Sequence, residues 1–338
     1  MNPLTKILLF CLVLAASSPS TAQSLFEQDS LLEIELTGPI SSLVDDKEDR
    51  SEWPFSMKVA GQQIDLTISA RGNSRMRICD FPQLKFNLKA AETAGTPFQG
   101  LGSLKLVTRC KKDDRSATDV LDEYAAYRIF SLFSDVSFRV RLVHIIFEDT
   151  ENQIDERYRE GYGFFIEPFK QLANRVHGQP SNISAVALGW LDENQAALVY
   201  VFQYLIANTD WSLIAPENRD NCCHNIRLIE IDSKHYLVPY DFDLAGLVNT
   251  RYARPDPSLS IKRVRHRLYR GFCTNQETLR EAIAAVRSKE AAVLGVIENL
   301  PVLDGKEKSR QLDYLEKFFT MAGNEDKLIE SFEKKCLS

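Results

Sequence analysis

Two acids flank a phenylalanine at Asp241-Phe242-Asp243, directly after the apolar run Tyr236 to Tyr240, and no other stretch constrains this chain as much. Upstream, Asn225 opens a second apolar run containing Ile226, Leu228, Ile229 and Ile231, so the two runs read as a β-hairpin. Asp210 stands ahead of both, after Asn208 at the end of an apolar helical pattern. Moving a γ-phosphoryl group needs one carboxylate to orient or deprotonate the acceptor hydroxyl. It also needs an amide oxygen and a second carboxylate to hold a charge-neutralising metal. Asp210, Asn225 and Asp241 are those residue types in that order, and Asp243 either assists the metal or bonds nearby backbone.

Protein kinases place the first acid and the amide on one loop, with the second acid in Asp-Phe-Gly two strands later. Here 14 residues separate Asp210 from Asn225 where a kinase has four, no His-Arg-Asp precedes the acid, and Asp243 replaces the glycine. With those departures the run resembles the spore-coat CotH family of secreted kinase-like proteins. Upstream segments follow in the order of that family: Arg71-Gly72-Asn73-Ser74-Arg75, the Lys85 strand, the Leu104 to Val107 strand, the helix around Glu123, and Tyr162 to Glu167. The resemblance runs from about Leu31 to the C-terminus, with clear motifs between Arg71 and Gly246. It implies an ATP- and metal-dependent (Mg²⁺ or Mn²⁺) kinase acting on a protein Ser/Thr hydroxyl. The rival readings are an inactive kinase-fold binding or envelope-structural protein, and a nucleotide-dependent transferase acting on a small molecule or glycan.

The chain opens with a targeting segment: Lys6, an apolar core from Ile7 to Ala16, and the small-residue exit Ser20-Thr21-Ala22. Cleavage after Ala22 predicts an exported protein, periplasmic or extracellular. Nothing later has the roughly 20 consecutive apolar residues of a spanning helix. Without Lys6 the charge is 40 basic against 47 acidic side chains, or −7, which argues against nucleic acid as a partner. Loss of Cys11 leaves six cysteines, an even count that favours disulfides in an exported chain. Cys79 and Cys110 sit at the ends of neighbouring strand-like runs and are the preferred pair. Cys222-Cys223-His224 lacks zinc-site spacing, so its cysteines are assigned to disulfides that pin the Asp210 to Asn225 insertion, with Cys273 as a partner.

Period-two alternation marks strands near Leu32 to Leu36, Ser56 to Ala60, Gln63 to Ala70, Gln83 to Lys89, Ser103 to Thr108, Phe138 to Phe147 and Tyr162 to Ile166. The charged stretch Ser41 to Trp53 reads as a solvated loop. Helical patterns cover Asp119 to Phe133, with Asp119 or Thr118 as cap, then Asn194 to Ala207, Asn275 to Leu300, Lys306 to Phe319 and Glu325 to Lys335. The expected fold is α+β, a two-lobed atypical kinase-like arrangement: a strand-rich, nucleotide-binding N-lobe with one helix over 23–168, then a helical C-lobe with the catalytic hairpin over 169–338.

Two registers are open for the nucleotide lysine. Lys105 fits if Ser103 to Thr108 is the third strand, with Glu123 as its helix partner, and Lys85 fits if Gln83 to Lys89 is. Arg71 and Arg75 are candidate phosphate ligands, since guanidinium forks match phosphate oxygens. Glu167-Pro168-Phe169 falls where a kinase reads the adenine edge, although Pro168 has no N–H to offer. The basic run from Arg251 to Arg270 reads chiefly as a solvated helix face.

Overall fold

The computed structural model describes residues 24–214, 222–301 and 305–337; the targeting segment lies outside them. Alternating sequence becomes β1 (Leu32–Gly38), then α1 (Ile40–Asp45), β2 (Trp53–Val59), β3 (Gln62–Arg71), α2 (Ser74–Ile78), β4 (Gln83–Leu88), α3 (Ala90–Thr93) and β5 (Ser103–Val107). The long helix α4 (Asp114–Ser131) precedes β6 (Val140–Asp149), β7 (Glu160–Ile166) and α5 (Phe169–Arg175). Next come β8 (Gln179–Ser181), α6 (Glu193–Leu205), β9 (Ile226–Ile231), β10 (Lys234–Pro239), α7 (Gln276–Arg287), α8 (Glu290–Glu298), α9 (Gly305–Ala322) and α10 (Glu325–Glu333).

The first seven strands close into a barrel in the order β1-β2-β3-β4-β5-β7-β6. This overturns the expected two-lobed kinase-like architecture: the strand-rich part is a closed barrel, accompanied by helices and a separate three-stranded sheet, β10-β9-β8. Closure rests on β1, antiparallel to β2 on one edge and parallel to β6 on the other, from Leu32 opposite Val143 to Gly38 opposite Asp149. Full closure removes the open edges that a strand-rich sheet otherwise exposes. Asp149 secures the seam, accepting bonds from the Ile40, Ser41, Gln153 and Ile154 N–H groups and the Ser41 hydroxyl. Against the opposing effect of burial, those bonds hold its carboxyl down at about 2.

Alternate side chains divide the barrel. Ile34, Leu36, Met57, Ile64, Ile68, Phe86, Leu106, Ile145 and Phe165 fill the interior. On the outer face, Val107, Leu142 and Phe164 join α4, α6, the β9–β10 hairpin and the C-terminal helices in a second core. Ser69, Lys85, Lys105 and Ile166 stand in register across β3, β4, β5 and β7, so they share the face opposite the interior.

Several local expectations need adjustment. The 41–53 stretch is not wholly a loop: α1 enters it and buries Ser41 and Leu43. Helix α4 begins five residues before Asp119, capped by Asp113, whose carboxylate accepts from the Ser116 N–H. The helical pattern after Asn275 divides between α7 and α8 at Ser288-Lys289. Cys79 and Cys110 are bonded, tying the end of α2 to the end of β5. Cys222 pairs with its neighbour Cys223, and Cys273 pairs with Cys336 rather than with the 210–225 insertion. No helix of the described residues is long and apolar enough to cross a membrane.

Candidate active site

A cleft of about 800 Å³ lies between the outer face of the barrel, α4 and the β9–β10 hairpin. Its walls include Arg71, Arg75, Lys105, Glu123, Glu167, Asp210, Asn225, Asp241 and Asp243, every residue singled out in the sequence except Lys85. Lys85 pairs directly with Lys105 across β4 and β5 yet is not part of the lining.

The hairpin explains how Asn225 and Asp241 meet. Its last strand pair is Ile226 with Pro239, and the Tyr240 N–H donates to the Asn225 carbonyl at 3.1 Å, so both residues stand at the open end. Both take left-handed backbone, φ +51° and +62°, a region Asn and Asp tolerate better than most residues and one that concentrates at functional sites. The Asp241 N–H donates to the Tyr127 hydroxyl at 2.9 Å. Phe242, fully buried, packs edge-on against Tyr127 at 4.7 Å and Phe202 at 5.6 Å. That anchor fixes the two flanking acids relative to α4 and α6.

Arg75 is the electrostatic centre of the site. Its Nη2 donates to both Glu123 oxygens at 2.9 Å and to Asp241 Oδ1 at 3.0 Å, and its Nε donates to Asp243 Oδ2 at 2.9 Å. The cation facing Glu123 is therefore Arg75 and neither lysine. The turn Gly72-Asn73 and helix α2 swing Arg75 inward, where its planar guanidinium serves three carboxylates from two separate nitrogens. Asp243 Oδ2 also accepts from the Tyr252 hydroxyl at 2.9 Å, so this oxygen braces Arg75 from the cleft wall. Burial pushes the Glu123 carboxyl up to about 7, against the pull of Arg75. Burial and the neighbouring Asp243 also raise Asp241, although 47% of its side chain remains open to the cleft.

Two further cations line the barrel side. Arg71, held by its Nε on the Leu84 carbonyl, is brought down to about 10 by burial and by Arg75. Lys105 opens to the water of the cleft, but the crowding walls and the nearby Arg71 and Arg227 lower it to about 8.

Asp210 closes the far side. The Asn208 side chain accepts its N–H, Asn225 Nδ2 donates to its carbonyl at 2.8 Å and its Oδ2 at 2.9 Å, and His224 Nε2 lies 2.9 Å from Oδ1. The loop reaches the Asp-Phe-Asp segment through bonds from the Gly246 and Leu247 N–H groups to the Ala207 and Ile206 carbonyls. A Cβ on Gly246 would sit 2.5 Å from the Val264 carbonyl and 2.8 Å from Ala207, so this approach requires glycine.

Glu167 is a brace. Its carboxylate accepts from Arg175 Nε and Nη2 at 2.9 and 2.8 Å and from the Arg139 N–H, while its own N–H donates to the Arg139 carbonyl. That N–H is unavailable to a base edge. In the basic run after Arg251, Arg251, Arg254, Lys262 and Arg263 are exposed while Arg265 and Arg267 stack on Tyr314 at 4.0 and 4.1 Å, and no regular helix covers 251–275.

Sequence reasoning weighed His224 only as a zinc ligand, and it missed Arg227, Tyr127 and an aromatic wall. Arg227, two residues beyond Asn225, lines the same cleft, with its guanidinium 5.8 Å from the Phe169 and Tyr240 rings. Phe138 packs against both rings. Tyr127 is one helical turn beyond Glu123, a spacing that would have flagged it.

No family model matches the chain, and no curated protein matches it. Among solved structures, the Helicobacter pylori proinflammatory kinase CtkA is similar, with a TM-score of 0.39 and 9% identity over 72% of this chain and 92% of that one.

Proposed function

We propose that this chain is an exported, ATP- and divalent-metal-dependent phosphotransferase of CotH-like character, with a protein hydroxyl as acceptor. One observation carries the reading: a single cleft gathers Asp210, Asn225 and Asp241 opposite the cations Arg71 and Lys105. Export is supported by three disulfides, which persist in oxidising compartments.

Among the described residues no three His, Cys, Asp or Glu side chains form a ready-made metal cage. Magnesium needs none, because it binds through one or two carboxylates, water and substrate phosphates. The hard oxygen donors of Asp241 and Asn225 suit that demand. A bound ion there would neutralise charge on the β- and γ-phosphates. Arg71 and Lys105 would hold phosphate oxygens from the barrel side, while Phe138, Ile166, Phe169 and Tyr240 offer apolar surface to a base. The acceptor oxygen bonds to the γ-phosphorus, the bond to the β-phosphate bridging oxygen breaks, and the hydroxyl proton passes to the Asp210 carboxylate. Arg75 takes no part in that exchange; it keeps Glu123, Asp243 and Asp241 in place.

The test compares Asp210→Asn with Asp241→Asn, using calorimetry for ATP with Mg²⁺ or Mn²⁺ beside phosphate transfer to casein. Asp210→Asn should bind nucleotide normally and transfer about 10² to 10⁴ times more slowly. Asp241→Asn should lose both binding and transfer, since a metal ligand serves ground and transition states alike. Undiminished transfer by Asp210→Asn would refute the assignment.

A further inference from the structure

The 14 residues between Asp210 and Asn225 set this site apart from a kinase loop, and the described ends of that insertion form a clasp. Ser212 and His224 exchange two backbone bonds, Ser212 N–H to the His224 carbonyl at 3.1 Å and His224 N–H to the Ser212 carbonyl at 2.9 Å. Next to this bridge the Cys222–Cys223 disulfide leans on the Leu213 carbonyl through Cys222 Sγ at 3.1 Å. On its other side Trp211 is buried, stacked on Tyr200 of α6 at 5.7 Å. The clasp is thus tied to the helical core at one end and to β9 at the other.

Its product is a fixed imidazole. His224 Nε2 sits 2.9 Å from Asp210 Oδ1, while Asn225 Nδ2 sits 2.9 Å from Asp210 Oδ2. A carboxylate offers only lone pairs, so both neighbours act as donors. Each oxygen is therefore gripped once, and the carboxylate plane is set by two side chains from opposite sides of one peptide bond. The Asp210 side chain is 35% exposed, so the grip leaves it open to the cleft.

We infer that His224 is a positioning residue: it sets the orientation of the Asp210 carboxylate toward the acceptor hydroxyl, and the Ser212–His224 clasp exists to deliver it. The inference rests on the phosphotransferase reading above. A carboxylate free to rotate loses alignment with the reacting oxygen, and small misplacements at a reacting centre cost large factors in rate. The phosphate cations Arg71 and Lys105 belong to the barrel side, and Asn225 keeps its own bonds to Asp210 when His224 is replaced, so the effect falls on turnover more than on ATP binding.

The experiment uses the full mature chain with ATP, Mg²⁺ or Mn²⁺ and casein, comparing wild type with His224→Phe, His224→Gln, Asp210→Asn and the double variant Asp210→Asn/His224→Phe. His224→Phe keeps a ring but donates nothing, and should lower kcat by about 10-fold or more, the cost of a lost bond to a charged group. Its KM for ATP and melting temperature should stay at the wild-type values. His224→Gln, whose amide donates over a similar reach, should recover most of the rate. In the Asp210→Asn background His224→Phe should cost nothing further, because two residues acting through one interaction are not additive. Wild-type transfer with an undiminished His224→Phe rate, or with full additivity in the double variant, overturns the inference alone. Absence of transfer by the wild type with either metal overturns the phosphotransferase reading and this inference with it.

Discussion

Arg75→Met is the most revealing perturbation of this molecule. The arginine side chain is 9% exposed, and two of its three carboxylate partners are equally hidden, Glu123 at 4% and Asp243 at 8%. Methionine keeps most of the aliphatic stem and removes the positive group that bonds all three acids. Leaving buried charge uncompensated costs about 3–5 kcal/mol; Asp241, open to the cleft, adds little. Unfolding entropy of about 2.1 cal/mol/K per residue gives a chain of this size about 0.7 kcal/mol/K, so the melting temperature should fall by about 4–7 °C at pH 8. Near pH 5 the loss should be smaller. Burial already raises Glu123 to about 7, and without Arg75 it rises further, so mild acid protonates it and relieves the repulsion. Arg75→Lys should recover only part of the loss, since a single ammonium nitrogen lacks the fixed spread of the guanidinium Nε and Nη2 that the acids now share. Added Mg²⁺ or Mn²⁺ should stabilise Arg75→Met more than wild type, a cation replacing a cation. The assay is differential scanning fluorimetry across pH 5–8, with and without metal. Melting within 1 °C of wild type at both pH extremes would refute the view that Arg75 holds this cluster together.

Asp119, raised by burial to about 7 despite Arg115 at 2.8 Å, binds its proton more tightly folded than unfolded. Its contribution is therefore complete below about pH 4 and lost as pH rises through about 7, at most about 4 kcal/mol; Asp119→Asn should flatten that slope in urea titrations between pH 4 and 8. The Cys79–Cys110 and Cys273–Cys336 bridges span 31 and 63 residues, so replacing either pair by serine should cost about 4 kcal/mol by loop entropy. Removing Cys222–Cys223, which closes no loop, should leave the urea midpoint nearly unchanged.

Local pattern determined much of this protein. Period-two alternation located the strands, and the apolar runs after Asn225 and before Asp241 announced the hairpin, because hydrogen bonding between neighbouring strands depends on nearby residues alone. The Cys79–Cys110 pairing was legible for the same reason: both cysteines end strand-linked segments that lie close in the chain. Tertiary structure decided what depends on distant partners. The parallel pairing of β1 with β6, more than 100 residues apart, closes the expected strand-rich lobe into a barrel, and no alternation within either strand encodes that contact. The cation for Glu123 is Arg75 and not Lys85 or Lys105, because the path of α2 sets which side chain reaches the buried acids. The bonds of Asp243 to Arg75 and Tyr252, and of Glu167 to Arg175, were fixed by the same logic. A residue type states which bonds a side chain can make; only the assembled fold determines which partners lie within 3 Å of it.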